Sequence, residues 1–319
     1  MGPNLKGALL SLAAFGIYAT HDVVIKFLGS DYTSFQIIFF SGLLGFPLIT
    51  MMLMSDRTDG NLIPKHPWWS LIRALTAVST GAAGFYAFSV LPLAQTYAIL
   101  FAMPLLITLL AIPMLGEKVG IRRGLAVLVG LVGVLIVLRP GSADLSWGHL
   151  AALGAALTGS INSLIVRKIG GEERSAVLMI WPMMASFFVT GATMPFVYVP
   201  MPIGHLALTG VIAGMGFVAA MLIIAAYRSA PAVIVAPMQY SQIIWAAFYG
   251  AIFFDEHPDQ YTIIGTAVII ASGVYIVLRE STKTVSKNTP VLANKSRPET
   301  GLMPRISLLL KRGERTSQD

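Results

Sequence analysis

The chain contains no cysteine. Disulfide frameworks, thiolate metal sites and cysteine nucleophiles are therefore excluded. Charge is also scarce. Only 12% of the 319 residues are Asp, Glu, Lys or Arg, against about 25% in a soluble domain. At 55% hydrophobic residues, so few charges could not cover a soluble surface. A soluble enzyme, a disordered chain and a fibrous repeat are ruled out, and a polytopic membrane protein is implied. No P-loop, metal-spaced histidine cluster or Ser/His/Asp set occurs in the sequence. An ATP-driven pump is thereby excluded, and no catalytic residue, metal or cofactor is expected.

What is present is apolar sequence in long runs. A spanning helix needs about 20 mostly apolar residues. Ten stretches qualify: 7–28, 33–54, 68–90, 93–114, 120–138, 148–168, 175–198, 203–227, 231–253 and 260–278. The first is too long for a signal-peptide core, contains His21 and Asp22, and precedes no cleavage pattern. It reads as a retained helix. Pro92 and Pro231 mark the breaks between the third and fourth and the eighth and ninth stretches.

Charge position gives orientation. With the N-terminus inside, ten basic residues outside the C-terminal tail fall at inner ends: Lys6, Arg57, Lys65, Lys118, Arg122, Arg123, Arg167, Lys168, Arg174 and Arg228. Only Lys26 and Arg139 fall at outer ends. This asymmetry predicts both termini in the cytoplasm. Residues 279–319 hold nine basic and four acidic residues, so most of the +7 formal charge belongs to the tail. Residues 280–319 read as a disordered basic tail. Within it, 304–312 either lies on an anionic leaflet or is solvated. A nucleic-acid partner is not needed to explain the charge.

The halves of the chain overlay at a shift of about 140 residues. Gly7 meets Gly148, His21 meets Asn162, Lys26 meets Arg167 and Gly29 meets Gly170. Pro92 falls on Pro231, Glu117 on Glu256, and 132–140 on 272–280. Five helices per half is an odd number, so the second copy enters the membrane from the opposite side. The expected fold is an all-α polytopic membrane protein of ten transmembrane helices in two inverted five-helix repeats, an architecture common among secondary transporters. The expected units are a cytoplasmic N-terminus (1–6), a first repeat (7–140), a second repeat (148–279) and the tail (280–319).

These features resemble the drug/metabolite transporter superfamily, specifically its EamA type. The resemblance rests on Phe15-Gly16 leading to Lys26, on Arg73, on Ala87 to Pro92, on Gly116-Glu117 and on Gly124, Gly130 and Gly133. Pro231, Glu256 and Gly273 repeat it in the second half, and it covers residues 7–279. Phe15 stands where the family often has Trp. The resemblance implies transport but does not fix the substrate.

Asp22 is the sharpest candidate, since ionisable groups within spans usually face a cavity or a partner. Tyr18, Asp22 and Lys26 share one helical face. Asp22 binds a cationic substrate group or a coupling proton, tuned by Lys26, or it forms a static pair with Lys26. His21, pointing about 100° away, is a titrating group or a packing histidine. Asn162, beside Thr158, Ser160 and Ser163, is a hydrogen-bonding wall or interhelical glue. Gln239, Tyr240, Gln242 and Trp245 follow Pro237, and Gln95 and Tyr97 lie in the fourth helix. Amides and aromatics together suit a flat heteroaromatic ligand, read at its edges and stacked on its faces. Pro104 and Pro237 free backbone carbonyls and provide flexion or a static kink. Arg73 snorkels to the interface or anchors an inner gate.

The expected activity is secondary transport of a small organic metabolite across the inner membrane by alternating access. The run from His21-Asp22 to Lys26 and Leu28-Gly29, and residues 255–259, look similar to family members that take up heteroaromatic metabolites such as riboflavin or S-adenosylmethionine. Export of amino acids or drugs is the alternative; an intramembrane enzyme or a non-transporting scaffold is the reading from another class. The expected partners are a small-molecule substrate and the lipid bilayer, and a homodimer is compatible with the same features.

Overall fold

A computed structural model describes residues 3–54, 62–117, 119–140, 145–170, 172–173, 175–230 and 232–281. The expectation for the tail lies outside the described residues from 282 onward. The helices are α1 (Pro3–Leu28), α2 (Ser34–Met54), α3 (Pro67–Val90), α4 (Leu93–Leu100), α5 (Met103–Leu115), α6 (Ile121–Leu138), α7 (Trp147–Ile169), α8 (Ser175–Val197), α9 (Ile203–Ser229), α10 (Ala232–Val235), α11 (Ser241–Phe254) and α12 (Gln260–Ser281). A 3-10 turn over Ala236–Tyr240 joins α10 to α11. Eight helical stretches among the described residues are long and apolar enough to cross a membrane. With α2 and the broken ninth segment, 232–254, the ten expected spans are accounted for.

Two spans are interrupted where the sequence suggested single helices. The fourth divides into α4 and α5 at Phe101-Ala102, just before Pro104. The ninth passes through the 3-10 turn that holds Pro237. Proline removes a donor and crowds the preceding turn, so both helices break close to it. The breaks lie at corresponding places in the two halves.

Helix pairing follows the repeat. Helix α1 packs along α9, and α3 along α7, which are equivalent pairs when the halves are exchanged. The pairs α6 with α12 and α2 with α8 each map onto themselves. Such a pattern has an internal two-fold axis running between the halves. Individual residues repeat it. A Cβ on Gly7 would strike Ala230, and one on its counterpart Gly148 would lie 2.8 Å from Leu91 Cγ, the counterpart of Ala230. Small residues let these helices approach closely.

Helix α6 shows how sequence sets its two faces. Val127, Gly130, Val134 and Val137 are buried, while Leu125, Leu128, Val132 and Leu135 are each more than half exposed. A soluble surface would not carry such a stripe; facing lipid it costs nothing. Trp68 and Trp147, both 76% exposed, stand at the starts of α3 and α7, where aromatic rings meet a membrane interface. The molecule is a multi-pass membrane protein.

The buried face of α6 meets α12 through glycines. A Cβ on Gly133 would lie 2.8 Å from Gly265 O, and one on Gly265 would lie 2.6 Å from Gly133 O. Gly133→Leu is therefore expected to cost about 1–3 kcal/mol or more by overpacking and to lower the thermal midpoint of the detergent-solubilised protein. Gly154→Ala, with nothing within 4 Å of the added carbon, is expected to leave it unchanged or raise it. Wild-type melting of Gly133→Leu would contradict this seam.

Candidate functional site

Asp22 lies on α1 and is 1% exposed. An ionised carboxylate buried this deeply needs partners. Two are adjacent: His21 Nδ1 is 2.7 Å from Asp22 Oδ1, and the Tyr97 hydroxyl donates to Asp22 Oδ2. An ionised carboxylate only accepts, so His21 Nδ1 donates. Gln242 Nε2 then donates to the Tyr97 oxygen at 3.2 Å. Helix α1 and the two broken segments, through α4 and α11, thus converge on one carboxylate. Gln242 is fully buried, and its Oε1 has no hydrogen-bond partner. A buried acceptor without a donor is costly, and it lies one hydroxyl away from Asp22.

Aromatic rings wall this cluster. His21 meets Tyr18 and Phe85 edge-on, with centroids 6.5 and 6.2 Å away. Phe88 packs edge-on against Tyr97 at 5.1 Å. Trp245 stacks on Tyr249 at 6.0 Å and covers Gly16 on α1, where a Cβ would stand 3.5 Å from the indole. Tyr249 reaches back to Thr20, their hydroxyls 3.0 Å apart.

Of the expected residues, the structure brings Tyr18, His21, Asp22, Tyr97 and Gln242 together. Trp245 lies at the rim of this cluster on α11 and is 37% exposed. Asn162 is buried on α7. Near it, Thr158 bonds Thr80 across the α3–α7 contact at 2.8 Å, and Ser160 donates to Met103 O beside the first helix break. Gln239 is half-buried in the 3-10 turn, outside the Asp22 network. Tyr240 is wedged elsewhere: its ring meets Phe101 edge-on at 5.0 Å, and its hydroxyl fills the space a Cβ on Gly273 would need. Gln95 lies 3.0 Å from His149 Nε2. Pro104 opens α5 and Pro237 sits in the 3-10 turn. Arg73 is 1% exposed and donates to Leu178 O on α8.

Two geometric expectations need revision. His21 is bonded directly to Asp22, although the two residues stand about 100° apart around the helix. Lys26 does not pair with Asp22. Its ammonium lies 2.6 Å from Glu256 Oε1, donates to Leu91 O and stands 5.2 Å over the Phe254 ring. Glu256 Oε2 accepts the Leu93 N–H at 3.0 Å. This cluster lies at the end of the bundle where α1 stops, the far end.

At the near end, where α1 starts, Arg167 pairs with Glu117. The neighbouring Lys168 donates to Met114 O and lies 4.5 Å over the Trp69 ring. The glutamates are presented alike. Gly116 and Asp255, each just before its glutamate, both take left-handed backbone angles, φ +68° and φ +53°. The glutamate N–H then reaches six residues back, Glu117 to Ala111 O and Glu256 to Gly250 O, so the two helix ends are closed alike. Arg167 as a site residue was missed by local reading; its signal was the alignment of Lys26 with Arg167 and of Glu117 with Glu256. Also at the far end, Arg139 pairs with Asp259 at 2.6 Å. Burial pushes the Asp259 carboxyl up, but hydrogen bonds from Thr262 and the charge of Arg139 outweigh it and hold that carboxyl below its usual range.

The model of the EamA-like transporter family matches twice, at residues 5–139 and 146–279. An S-adenosylmethionine uptake transporter of Rickettsia bellii is 25% identical over 279 residues, covering 88% of this chain and 94% of that protein. A riboflavin transporter of Rhizobium johnstonii is 28% identical over 216 residues, covering 67% and 72%. The pseudopaline exporter CntI of Pseudomonas aeruginosa is 25% identical, covering 84% and 94%. A crystal structure with 16% identity superposes with a TM-score of 0.57, covering 84% of this chain and 96% of that one, a likeness of fold.

The Tyr97 hydroxyl serves two partners at once, donating to Asp22 and accepting from Gln242. Tyr97→Phe removes both bonds without changing the ring. A loss of about 1–3 kcal/mol is expected from the buried groups left unpaired, read as a lower thermal midpoint of the purified protein. In an Asp22→Asn background the same change should cost less, because the two residues act as a unit. Full additivity would separate Tyr97 from Asp22.

Proposed function

Because the chain belongs to the EamA-like transporter family, we propose that it is a secondary active transporter that takes up a heteroaromatic metabolite, with S-adenosylmethionine the first candidate. The observation that carries this reading is the buried carboxylate of Asp22, held by His21 and Tyr97 where α1 meets the two broken helices. Paired interruptions in corresponding segments of two inverted halves are a pointer to a transport site. A carboxylate at that point suits a ligand carrying positive charge. Gln242 Oε1 offers an acceptor for a donor on the ligand, and the stacked Trp245 and Tyr249 offer a face for a planar ring.

Transport follows by rocking of one repeat, 7–140, against the other, 148–279, about the site between them. Asp22 takes the cationic group of the ligand or a coupling proton, and His21 tunes it. Tyr18, Tyr97, Asn162, Gln242 and Trp245 line the path. Pro104, Pro237, Gln95 and Arg73 serve the conformational change. The ten-to-two distribution of basic residues supports an inner-membrane protein with both termini in the cytoplasm. Binding and release need no bond making, so no catalytic residue enters the scheme.

A second reading is uptake of riboflavin, a neutral flat ligand. Gln242 and the Trp245–Tyr249 stack favour it over Asp22. The two ligands separate cleanly in proteoliposomes. Saturable uptake of labelled S-adenosylmethionine, increased or reversed by an imposed pH gradient, is expected. Asp22→Asn should lower it at least about tenfold, equivalent to about 1.4 kcal/mol. Riboflavin uptake that survives Asp22→Asn but falls with Gln242→Ala would establish the second reading. Saturable flux of neither metabolite sinks both.

A further inference from the structure

We infer that Lys26 with Glu256, and Arg167 with Glu117, are positioning residues for transport: two gates, equivalent when the halves are exchanged, that close opposite ends of the bundle and open one at a time. The inference rests on the transporter reading. Each pair joins the two halves. Lys26 belongs to the first half and Glu256 to the second; Arg167 belongs to the second and Glu117 to the first. Each cation lies in the last turn of the first helix of its half. Each glutamate follows a broken span and is aimed by the same left-handed helix end. An inverted repeat must place such a pair at both ends, and alternating access requires a contact that exists twice, once per side.

The far gate is tied directly to the site. Lys26 is one turn beyond Asp22 on α1. Glu256 follows α11, which carries Gln242. Through Oε2 it also holds the Leu93 N–H at the start of α4, which carries Tyr97. The three elements that converge on Asp22 are therefore the three that the Lys26–Glu256 cluster holds together. A ligand that draws α1 away from α4 and α11 at Asp22 must strain this gate first. The near gate closes the other end, and with both closed Asp22 is 1% exposed. Neither pair is sealed in the core: the side chains are 10% and 20% exposed in one and 17% and 10% exposed in the other. Breaking such a pair costs more than breaking a solvent-exposed one and less than breaking a fully buried one, provided water reaches its charges as that end opens.

The absence of cysteine makes the test direct, because one introduced thiol reports without background. Ser160→Cys places that thiol at a fully buried position beside the first helix break. A membrane-impermeant thiol reagent is applied to the full chain from each side of the membrane separately. Glu256→Gln is expected to raise labelling severalfold from the far-end side only, and Glu117→Gln from the near-end side only. Exchanging the charges, Lys26→Glu with Glu256→Lys, should return labelling towards that of the single-cysteine parent. If Glu256→Gln fails to assemble, Glu256→Asp should give a smaller rise on the same side. Labelling that rises equally from both sides, that does not change, or that the exchange fails to restore overturns the gates. Labelling needs no flux. Side-specific labelling without uptake of any metabolite would uphold the gates and remove the substrate assignment; uptake without sidedness would do the reverse.

Discussion

A charge inside a bilayer must find a partner, and beyond the local bond of Asp22 to His21 these charges reach to other helices. Asp22 on α1 takes Tyr97 on α4, and Arg73 on α3 takes a carbonyl of α8. Lys26 reaches Glu256, and Arg167 reaches Glu117, each across the divide between the halves. The cost of leaving any of these groups alone in hydrocarbon is several kcal/mol. Folding of either half by itself would strand the charges that the other half satisfies. The ion pairs and the glycine seams then point the same way: the halves are built to be read together, and the Asp22–Tyr97–Gln242 cluster lies where they meet.

The paired architecture also explains why the site is made of broken helices. A continuous helix satisfies its own backbone and offers a ligand only side chains. The interruptions at Phe101-Ala102 and over Ala236–Tyr240 turn α4 and α11 so that Tyr97 and Gln242 meet at Asp22. Proline supplies the break in each half, and equivalent breaks face each other across the internal axis. Tyr240 holds the second break in place by filling the space beside Gly273. Tyr240, a candidate by composition, is thus packed as a wedge, while Gln242, two residues on, points into the cluster.

Much of this was legible in the sequence. Apolar length gave the ten spans, because a bilayer imposes a local requirement on every segment that crosses it. The repeat was legible from Gly7 and Gly148 and from Pro92 and Pro231; the two glycines make equivalent contacts in the structure, and Pro231 lies outside the described residues. Asp22 stood out because a carboxylate is rare in such a run. What local reading missed depends on contacts between distant segments or on rotamers. Helical spacing placed Lys26 one turn from Asp22, yet Lys26 turns to Glu256, 230 positions later, because that carboxylate sits at the wetter helix end. The bond between His21 and Asp22 lay in side-chain torsions that a helical wheel ignores. The start of α1 at Pro3 and the extension of α12 to Ser281 exceed the apolar runs, because a helix does not stop where its hydrophobicity does.

The central claim is that the buried carboxylate of Asp22 is what a positively charged metabolite binds. Equilibrium titration of S-adenosylmethionine into the purified, detergent-solubilised protein tests it without vesicles, gradients or a coupling ion. Saturable binding to the wild type, weakened at least about tenfold in Asp22→Asn, is the result expected. Binding of equal strength in Asp22→Asn and wild type would contradict it.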